Sequence, residues 1–395
     1  MLRPPPPSFA WHPSCNIVGP VSAAGSALEQ LRDLIAGNAS ICVRAAQPSA
    51  INQQLALDQP VLHCETSGST GQPKVICRSH QSWTASFEVN RRLFGFTARD
   101  IFAVFGSFAH SLTLYGVLEA AHIGADICAL TGIRPDRQLA ALDQLKASVL
   151  YLTPTQLGLL CDRRSGHAPL IGVRQILFGG GRPAPGLLAK AASLFPNATV
   201  TQFYGASETS FMAISDGATP DGAVGRAYPG VEISIRNAGG DGIGEIWIKS
   251  PYLFLGYVQG GSHEVKWQDG FLTVGEMGRM DAQGNLFVAG RKSRMVTIAD
   301  QNVFLDEIET FLASRIEARH IVVVARFDAV RGNRLAGIID GAVGEYDSAE
   351  ILRDCRQSLG PLKAPRALYF TDDMPMLAAG KPDLVAIGRW LEEQV

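Results

Sequence analysis

The stretch Asp100–Leu130, DIFAVFGSFAHSLTLYGVLEAAHIGADICAL, decides how the chain folds. Ile101 to Leu118 carries no Asp, Glu, Lys or Arg over 18 residues, a length that raises the question of a membrane span. Gly106, Ser107, His110, Ser111 and Thr113 interrupt the run, and polar groups in mid-span are costly in lipid. It reads instead as a buried strand, DIFAVFGS, passing into a buried helix, HSLTLYGVLEAAHIG, which Gly124 ends. A second strand, ADICAL, follows. Strand, helix and strand in that order form the unit from which parallel sheets are built.

Toward the C-terminus the pattern repeats. DRQLAALDQLKA reads as a helix, SVLYLTP as a strand, TQLGLLCD as a helix and VRQILFGGG as a strand ending in a glycine turn. PGLLAKAASLF is a further helix and TVTQFYG a further strand. This alternation predicts an α/β fold with a parallel sheet covered by helices. Ligands of such sheets gather where loops leave the carboxyl ends of strands, so the FGGG and YGASE loops are expected to face one cleft. Between residues 215 and 290 the texture changes to short β-like runs broken by glycines (VEISIRN, GEIWIKS, NLFVAGR), which predicts a small antiparallel or barrel-like β subdomain. After Arg291 comes a separate α+β unit: RMVTIA, LDEIETFLASRI, HIVVVARF, RLAGIID, SAEILRDCRQSL and RALYFT. The expected organisation is a large N-terminal domain over residues 1–290 and a small C-terminal α+β domain over 291–395, with the boundary near Gly290–Ser293.

Composition narrows the function classes. A chain of 395 residues is long for one compact core, which suggests two domains or slightly more. A net charge of −2 gives no reason to expect nucleic acid or an acidic membrane as partner. The seven cysteines (Cys15, Cys42, Cys64, Cys77, Cys128, Cys161, Cys355) are scattered, odd in number and without a C-x-x-C pair. That favours reduced thiols in a cytoplasm over a disulfide framework, and argues against structural zinc. The eight histidines are dispersed, so no metal-ligand cluster is visible. MLRPPPPSFAWH, at the start, lacks the apolar segment of a signal peptide. A soluble cytoplasmic protein is expected.

The chemistry begins at Cys64–His80, CETSGSTGQPKVICRSH. Ser67, Gly68, Ser69, Thr70 and Gly71 can bring backbone N–H groups and hydroxyls close to an anion, and Lys74 adds a compact positive charge. The spacing differs from that of a Walker A loop. Taken alone, the segment also reads as a flexible Ser/Gly turn joining two strands. Six further segments follow: ILFGGG, QFYGASE, GAVGRAYPGVEISI, GEMGRMDAQGNLFVAGRKSRMV, VFLDEIE and LAAGKPDL. In this order and spacing the set resembles the motifs of the adenylate-forming superfamily, which comprises acyl- and aryl-CoA synthetases, peptide-synthetase adenylation domains and luciferases. The resemblance covers residues 64 to about 390.

The resemblance implies roles residue by residue. Thr66, Ser67, Gly68, Ser69, Thr70, Gly71 and Lys74 would form the phosphate loop for ATP. Gly180 and Gly181 would line the adenine and acyl pocket, and Tyr204 would lie against the adenine ring beside Gly205 and Ser207. Glu208 would help bind Mg²⁺, while Glu276 and Arg291 would hold the ribose hydroxyls. Lys381 would reach from the small domain to the α-phosphate as the principal catalytic residue. His110, Ser111, Gly179 and Phe203 would line the acid pocket, with Phe108, Tyr115 and Phe178 read either as further lining or as core. The implied reaction joins a carboxylic acid to MgATP, giving an acyl-adenylate and pyrophosphate. A thiol of CoA, or of the phosphopantetheine on a separate carrier protein, then displaces AMP after the small domain rotates. A mixed anhydride needs no protein nucleophile, which fits the lack of any recognisable Ser-His-Asp or Cys-His arrangement.

The sequence departs from the family pattern at four places. Only 65 residues precede the phosphate loop, so the first subdomain is expected to be reduced. Glu276 in TVGEM replaces the ribose-binding aspartate, and Ser293 stands at a hinge position usually held by Asp or Lys. Ala299 and Asp300 replace a glycine pair in a loop that lines the pantetheine path. In addition, no acidic residue lies between Asp100 and Glu119, where amino-acid-activating relatives place an aspartate; this favours an acid without an α-amino group. Two other readings stay open: transfer of the adenylate to an amine or other acceptor, and a degenerate member that binds nucleotide or acyl-adenylate without turnover.

Overall fold

The computed structural model describes residues 8–20, 23–37, 39–44, 47–50, 60–66, 74–163, 167–181, 183–184, 186–299, 301–328, 332–376 and 382–393. The strand–helix–strand unit forms as the sequence predicts. Ile101–Val104 and Asp126–Ala129 pair in parallel, with the helix Ser111–Ile123 between them. Gly124 ends that helix at a φ of 87° and donates its N–H to the Ala120 carbonyl. The parallel part of the sheet runs Ile17–Val18, Asp126–Ala129, Ile101–Val104, Val149–Leu152, Gln175–Phe178, Thr199–Ala206. Successive side chains point to opposite faces, and the core divides accordingly. Phe102, Val104, Val149, Tyr151 and Leu177 belong to one cluster, while Ala103, Leu150, Leu152, Ile176 and Phe178 belong to another.

At Thr199–Ala206 the direction changes. Its second neighbour, Ser210–Ile214, is antiparallel, and the hydrogen-bonded path continues through Gly225–Ala227, Asn285–Arg291, Glu276–Met280 and Gly244–Lys249. The β region expected at 215–290 is therefore present, but joined to the parallel sheet through the YGASE hairpin. That hairpin pairs backbone groups that would otherwise be left open on the edge of Thr199–Ala206.

A second sheet orders Gly256–Gln259, Lys74–Ser79, Val61–Thr66, Ile41–Arg44 and Gln47–Ala50, all antiparallel except for the Val61–Thr66 and Ile41–Arg44 pair. The helix Ser111–Ile123 touches strands of both sheets and buries every residue from Thr113 to Ala121, as a helix apolar all round must. Its one acid, Glu119, accepts from Asn90 Nδ2 at 2.8 Å and from the Tyr151 hydroxyl. Burial pushes the Glu119 carboxyl up to about 8.

Residues from 295 onward have cores of their own. Met295–Ile298 and Gln301–Phe304 form a hairpin, and His320–Asp328, Gly332–Asp340 and Ala367–Thr371 a three-stranded sheet. With helices Leu305–Ala313, Ser348–Leu359 and Leu384–Glu393 they bury Val303, Ile308, Leu312, Val323 and Ile339 in one cluster and Val322, Ile338, Met374 and Ile387 in another. Among the described residues no helix is long and apolar enough to cross a membrane.

Candidate active site

The phosphate-loop segment is carried on a hairpin. Val61–Thr66 and Lys74–Ser79 are antiparallel, with Thr66 opposite Lys74, so the chain leaves and re-enters the sheet at one point. Ser67, Gly68, Ser69, Thr70 and Gly71 lie outside the described residues. The period-two alternation puts Lys74, Ile76 and Arg78 on one side of their strand. The neighbouring strand Gly256–Gln259 sets Tyr257 opposite Ile76, and Lys74 Nζ lies 5.8 Å from the centroid of the Tyr257 ring. The Tyr257 hydroxyl donates to Glu208 Oε1 at 2.6 Å. Burial first, and then the Glu208 carboxylate, push the Tyr257 phenol well above its ordinary value, so it stays a donor at neutral pH.

Glu208 stands in a three-residue turn, Ser207–Thr209, between the strands of the YGASE hairpin. The Thr209 hydroxyl accepts from Ala206 N at 3.0 Å, and Ser210 takes a φ of 58°. Just before the turn the register shifts between Tyr204 and Gly205. There the Gly205 backbone comes so near its partner strand that a Cβ would lie 1.8 Å from the Ser210 carbonyl oxygen, which excludes any other residue. Phe254 N donates to the Glu208 carbonyl at 2.9 Å. The Ser207 and Ser111 hydroxyls are 2.8 Å apart, which ties the motif to the start of the central helix.

Two further motif residues meet across strands. Glu276 is the register partner of Arg291, and Arg291 Nε lies 3.3 Å from Glu276 Oε1. Burial pushes the Glu276 carboxyl above the usual range, opposed by Arg291 and by a hydrogen bond from Tyr204. For Arg291, burial works against the cation, but Glu276, then Tyr204, Glu208 and Glu264, hold its value above the usual one. Lys74, Tyr257, Glu208, Arg291, Glu276 and Tyr204 thus form one linked group of opposite charges and phenols.

The pocket residues are only partly gathered. Gly179 is buried against the Phe203 ring; a Cβ there would come within 2.4 Å of it. Gly180, with a φ of 82°, and Gly181 are exposed, and Phe203 is half-buried, edge-on to Phe211 at 5.0 Å. Phe108, Tyr115 and Phe178 are core instead, at 3%, 4% and 1% exposure, with Phe178 in the cluster on the other face of the sheet from Phe203. Strand alternation explains it, because Phe178 points away from the face that Phe203 packs against. His110 is exposed at the N-cap of the central helix and makes no side-chain cap bond. Lys381 lies outside the described residues; the flanking Met376 and Pro382 bridge to each other.

Three residues that sequence reasoning passed over belong to this group. Tyr257 holds Glu208, Arg78 lies beneath it, and Glu264 Oε1 accepts from Ser293 N at 3.0 Å, two residues after Arg291. Only Arg78 left a sequence signal, as a charged residue directly after the apolar run Val75–Cys77, four positions after Lys74. Among the described residues no group of three His, Cys, Asp or Glu could hold a metal ion.

The family model described as AMP-binding enzyme matches residues 21–258, and that for the AMP-binding enzyme C-terminal domain matches residues 307–381. The chain belongs to the AMP-binding enzyme family. This is the adenylate-forming superfamily that the motifs resemble, and the chain is an AMP-forming ligase. The chain is 33% identical over 338 residues to the uncharacterised acyl-CoA ligase YhfT of Bacillus subtilis, covering 84% of this chain and 68% of that protein. The solved amide bond synthetase McbA of Marinactinospora thermotolerans superposes with a TM-score of 0.71 at 25% identity, over 83% of this chain and 69% of that one. o-Succinylbenzoate CoA synthetase of Bacillus subtilis, solved with its acyl-adenylate, shares the fold at a TM-score of 0.73 and 22% identity, over 84% and 68% of the two chains.

Proposed function

We propose that this protein activates a carboxylic acid with ATP, forming an acyl-adenylate and releasing pyrophosphate, and passes the acyl group to a thiol of CoA or of a carrier protein's phosphopantetheine. The observation that carries the reading is the Lys74–Tyr257–Glu208 linkage, which sets a cation and a carboxylate together at the base of the phosphate-loop hairpin. Lys74 and the hydroxyls of Ser67, Ser69 and Thr70 would hold the β- and γ-phosphates. Glu208 fits Mg²⁺, which takes one or two carboxylates and completes its shell with phosphate oxygens and water. Bound there, the ion would neutralise charge on the triphosphate. Glu276 and Arg291 would hold the ribose hydroxyls, and Tyr204 would lie against adenine.

The acid attacks the α-phosphorus through its carboxylate oxygen as the bond to pyrophosphate breaks, so no proton needs a protein base. Lys381 would stabilise the charge at the α-phosphate. We place the domain boundary at Gly290–Ser293, so that residues from 291 onward form the small domain that brings Lys381 in. The separate cores beyond residue 295 support this. The neutral stretch between Asp100 and Glu119 supports an acyl or aryl acid without an α-amino group. The name of the B. subtilis relative supports CoA as acceptor. Transfer to an amine is the second reading. It is favoured by the likeness to an amide bond synthetase and by Ala299, which fills with a methyl a left-handed turn position (φ 46°) where the family has glycine. A binder without turnover is the third.

The test is acid-dependent ATP–pyrophosphate exchange over aliphatic, aryl and amino acids, with Lys381→Ala alongside. Exchange with one acid class, reduced by about 10²–10³ in the variant, is expected. No exchange with any acid, despite nucleotide binding, overturns activation in favour of the binder. Supplying CoA or an amine to the active acid then separates the two acceptors.

A further inference from the structure

We infer that Arg78 is a positioning residue for acid activation: its buried guanidinium joins the two backbone segments that carry Glu208 and Tyr257, and through them sets the Glu208 carboxylate. The inference rests on the reading of Glu208 proposed above. Arg78 is 1% exposed, on the same strand and the same side as Lys74. Its Nη1 donates to the Ser207 carbonyl, immediately before Glu208, and its Nη2 to the Tyr252 carbonyl. Nε donates to Ser82 Oγ at 3.2 Å, and the guanidinium lies 5.4 Å from the Trp83 ring centroid.

The Tyr252 segment closes a ring of contacts. Phe254 N donates to the Glu208 carbonyl at 2.9 Å, Leu255 N to the Cys77 carbonyl at 2.8 Å, and Tyr257 returns to the Glu208 side chain. No ion pair to Arg78 is found among the described residues. A buried cation facing carbonyls in place of a carboxylate is a costly way to fill space, so a core role alone would be better served by an apolar side chain. Burial lowers its value to about 10, which leaves it charged at neutral pH. The rigid, planar guanidinium spreads three nitrogens over the two carbonyls and Ser82, a fixed geometry that a lysine's compact ammonium does not reproduce.

The experiment compares wild type, Arg78→Lys, Arg78→Gln and Glu208→Gln. Pyrophosphate exchange is followed against Mg²⁺ and against acid, AMP binding without metal by calorimetry, and amide exchange of Ser207–Thr209 by mass spectrometry. Arg78→Gln removes the buried charge, so it keeps the test open if the lysine variant does not fold. For a folded Arg78 variant we expect kcat to fall by about 10–100-fold, as for residues that orient metal ligands. The Mg²⁺ concentration for half-saturation rises and Ser207–Thr209 exchange faster, while acid KM and metal-free AMP affinity stay within about threefold. Unchanged kcat and Mg²⁺ dependence in a folded Arg78 variant, beside an impaired Glu208→Gln, overturns the role of Arg78 and leaves that of Glu208 standing. A loss that merely follows the unfolded fraction, with wild-type Mg²⁺ dependence, overturns it as well. An unimpaired Glu208→Gln overturns the reading of Glu208 itself, and the inference with it.

Discussion

Tyr257→Phe removes one hydroxyl from the centre of the site and keeps the ring. The ring's own contacts, edge-on to Phe254 at 5.2 Å and beside Lys74 at 5.8 Å, do not need the oxygen. What is lost is an O–H···O⁻ bond of 2.6 Å to Glu208, and a hydrogen bond to a charged group contributes about 1.5–3 kcal/mol. If Glu208 must be held in place only as the triphosphate reacts, the whole amount falls on the activated complex. kcat/KM for MgATP then drops by roughly ten- to a hundredfold. Metal-free AMP binding, assigned to Tyr204, Glu276 and Arg291 in the proposed reading, should be little changed. Stability should fall by about 1 kcal/mol, because Tyr257 as a whole is only half-buried and water can take over part of the lost bond. Steady-state pyrophosphate exchange over a range of MgATP, beside a thermal melt, measures both. A kcat/KM within about twofold of wild type would show that Glu208 does not depend on this bond, and the linkage argument would fail.

Two further substitutions test the scaffold. Glu119 keeps its proton to about pH 8 when folded but ionises near 4.5 when unfolded. Between those values the folded state holds a proton that the unfolded state lacks, so stability falls as pH rises, by about 1.4 kcal/mol per pH unit. Glu119→Gln should flatten the dependence of denaturant-unfolding free energy between pH 5 and 8 by that slope; parallel curves for the two proteins would refute the buried neutral acid. Ala299 sits exposed at a φ of 46° between the paired residues Ile298 and Gln301. Ala299→Gly should stabilise the chain by roughly 0.5–1 kcal/mol, since the strain relieved exceeds the extra freedom of the unfolded glycine. A lower melting temperature would show that the turn is not strained.

Much of the fold could be read from neighbouring residues. The four-residue apolar runs of the parallel sheet, the helix ended by Gly124 and the helices and strands expected after Arg291 all rest on local periodicity and turn chemistry, and all are present. Glu276 and Arg291 were both named from their motifs, but nothing local says that they face each other. Phe108, Tyr115 and Phe178 show the converse: an aromatic near a motif reads the same whether it lines a cleft or fills a core. The β region at 215–290 was recognised by its glycines, while its attachment to the parallel sheet depends on pairing between distant strands.

From the sequence alone came the alternation of strands and helices, the order of the motifs and the charged residues they contain, because these depend on spacing along the chain. The tertiary structure decided which of those residues meet. Register sets Glu276 against Arg291, and a strand far along the sequence brings Tyr257 to Glu208. Burial turns Arg78 from one more charge on a strand into the joint beneath them, a property of what surrounds a side chain and not of what precedes it.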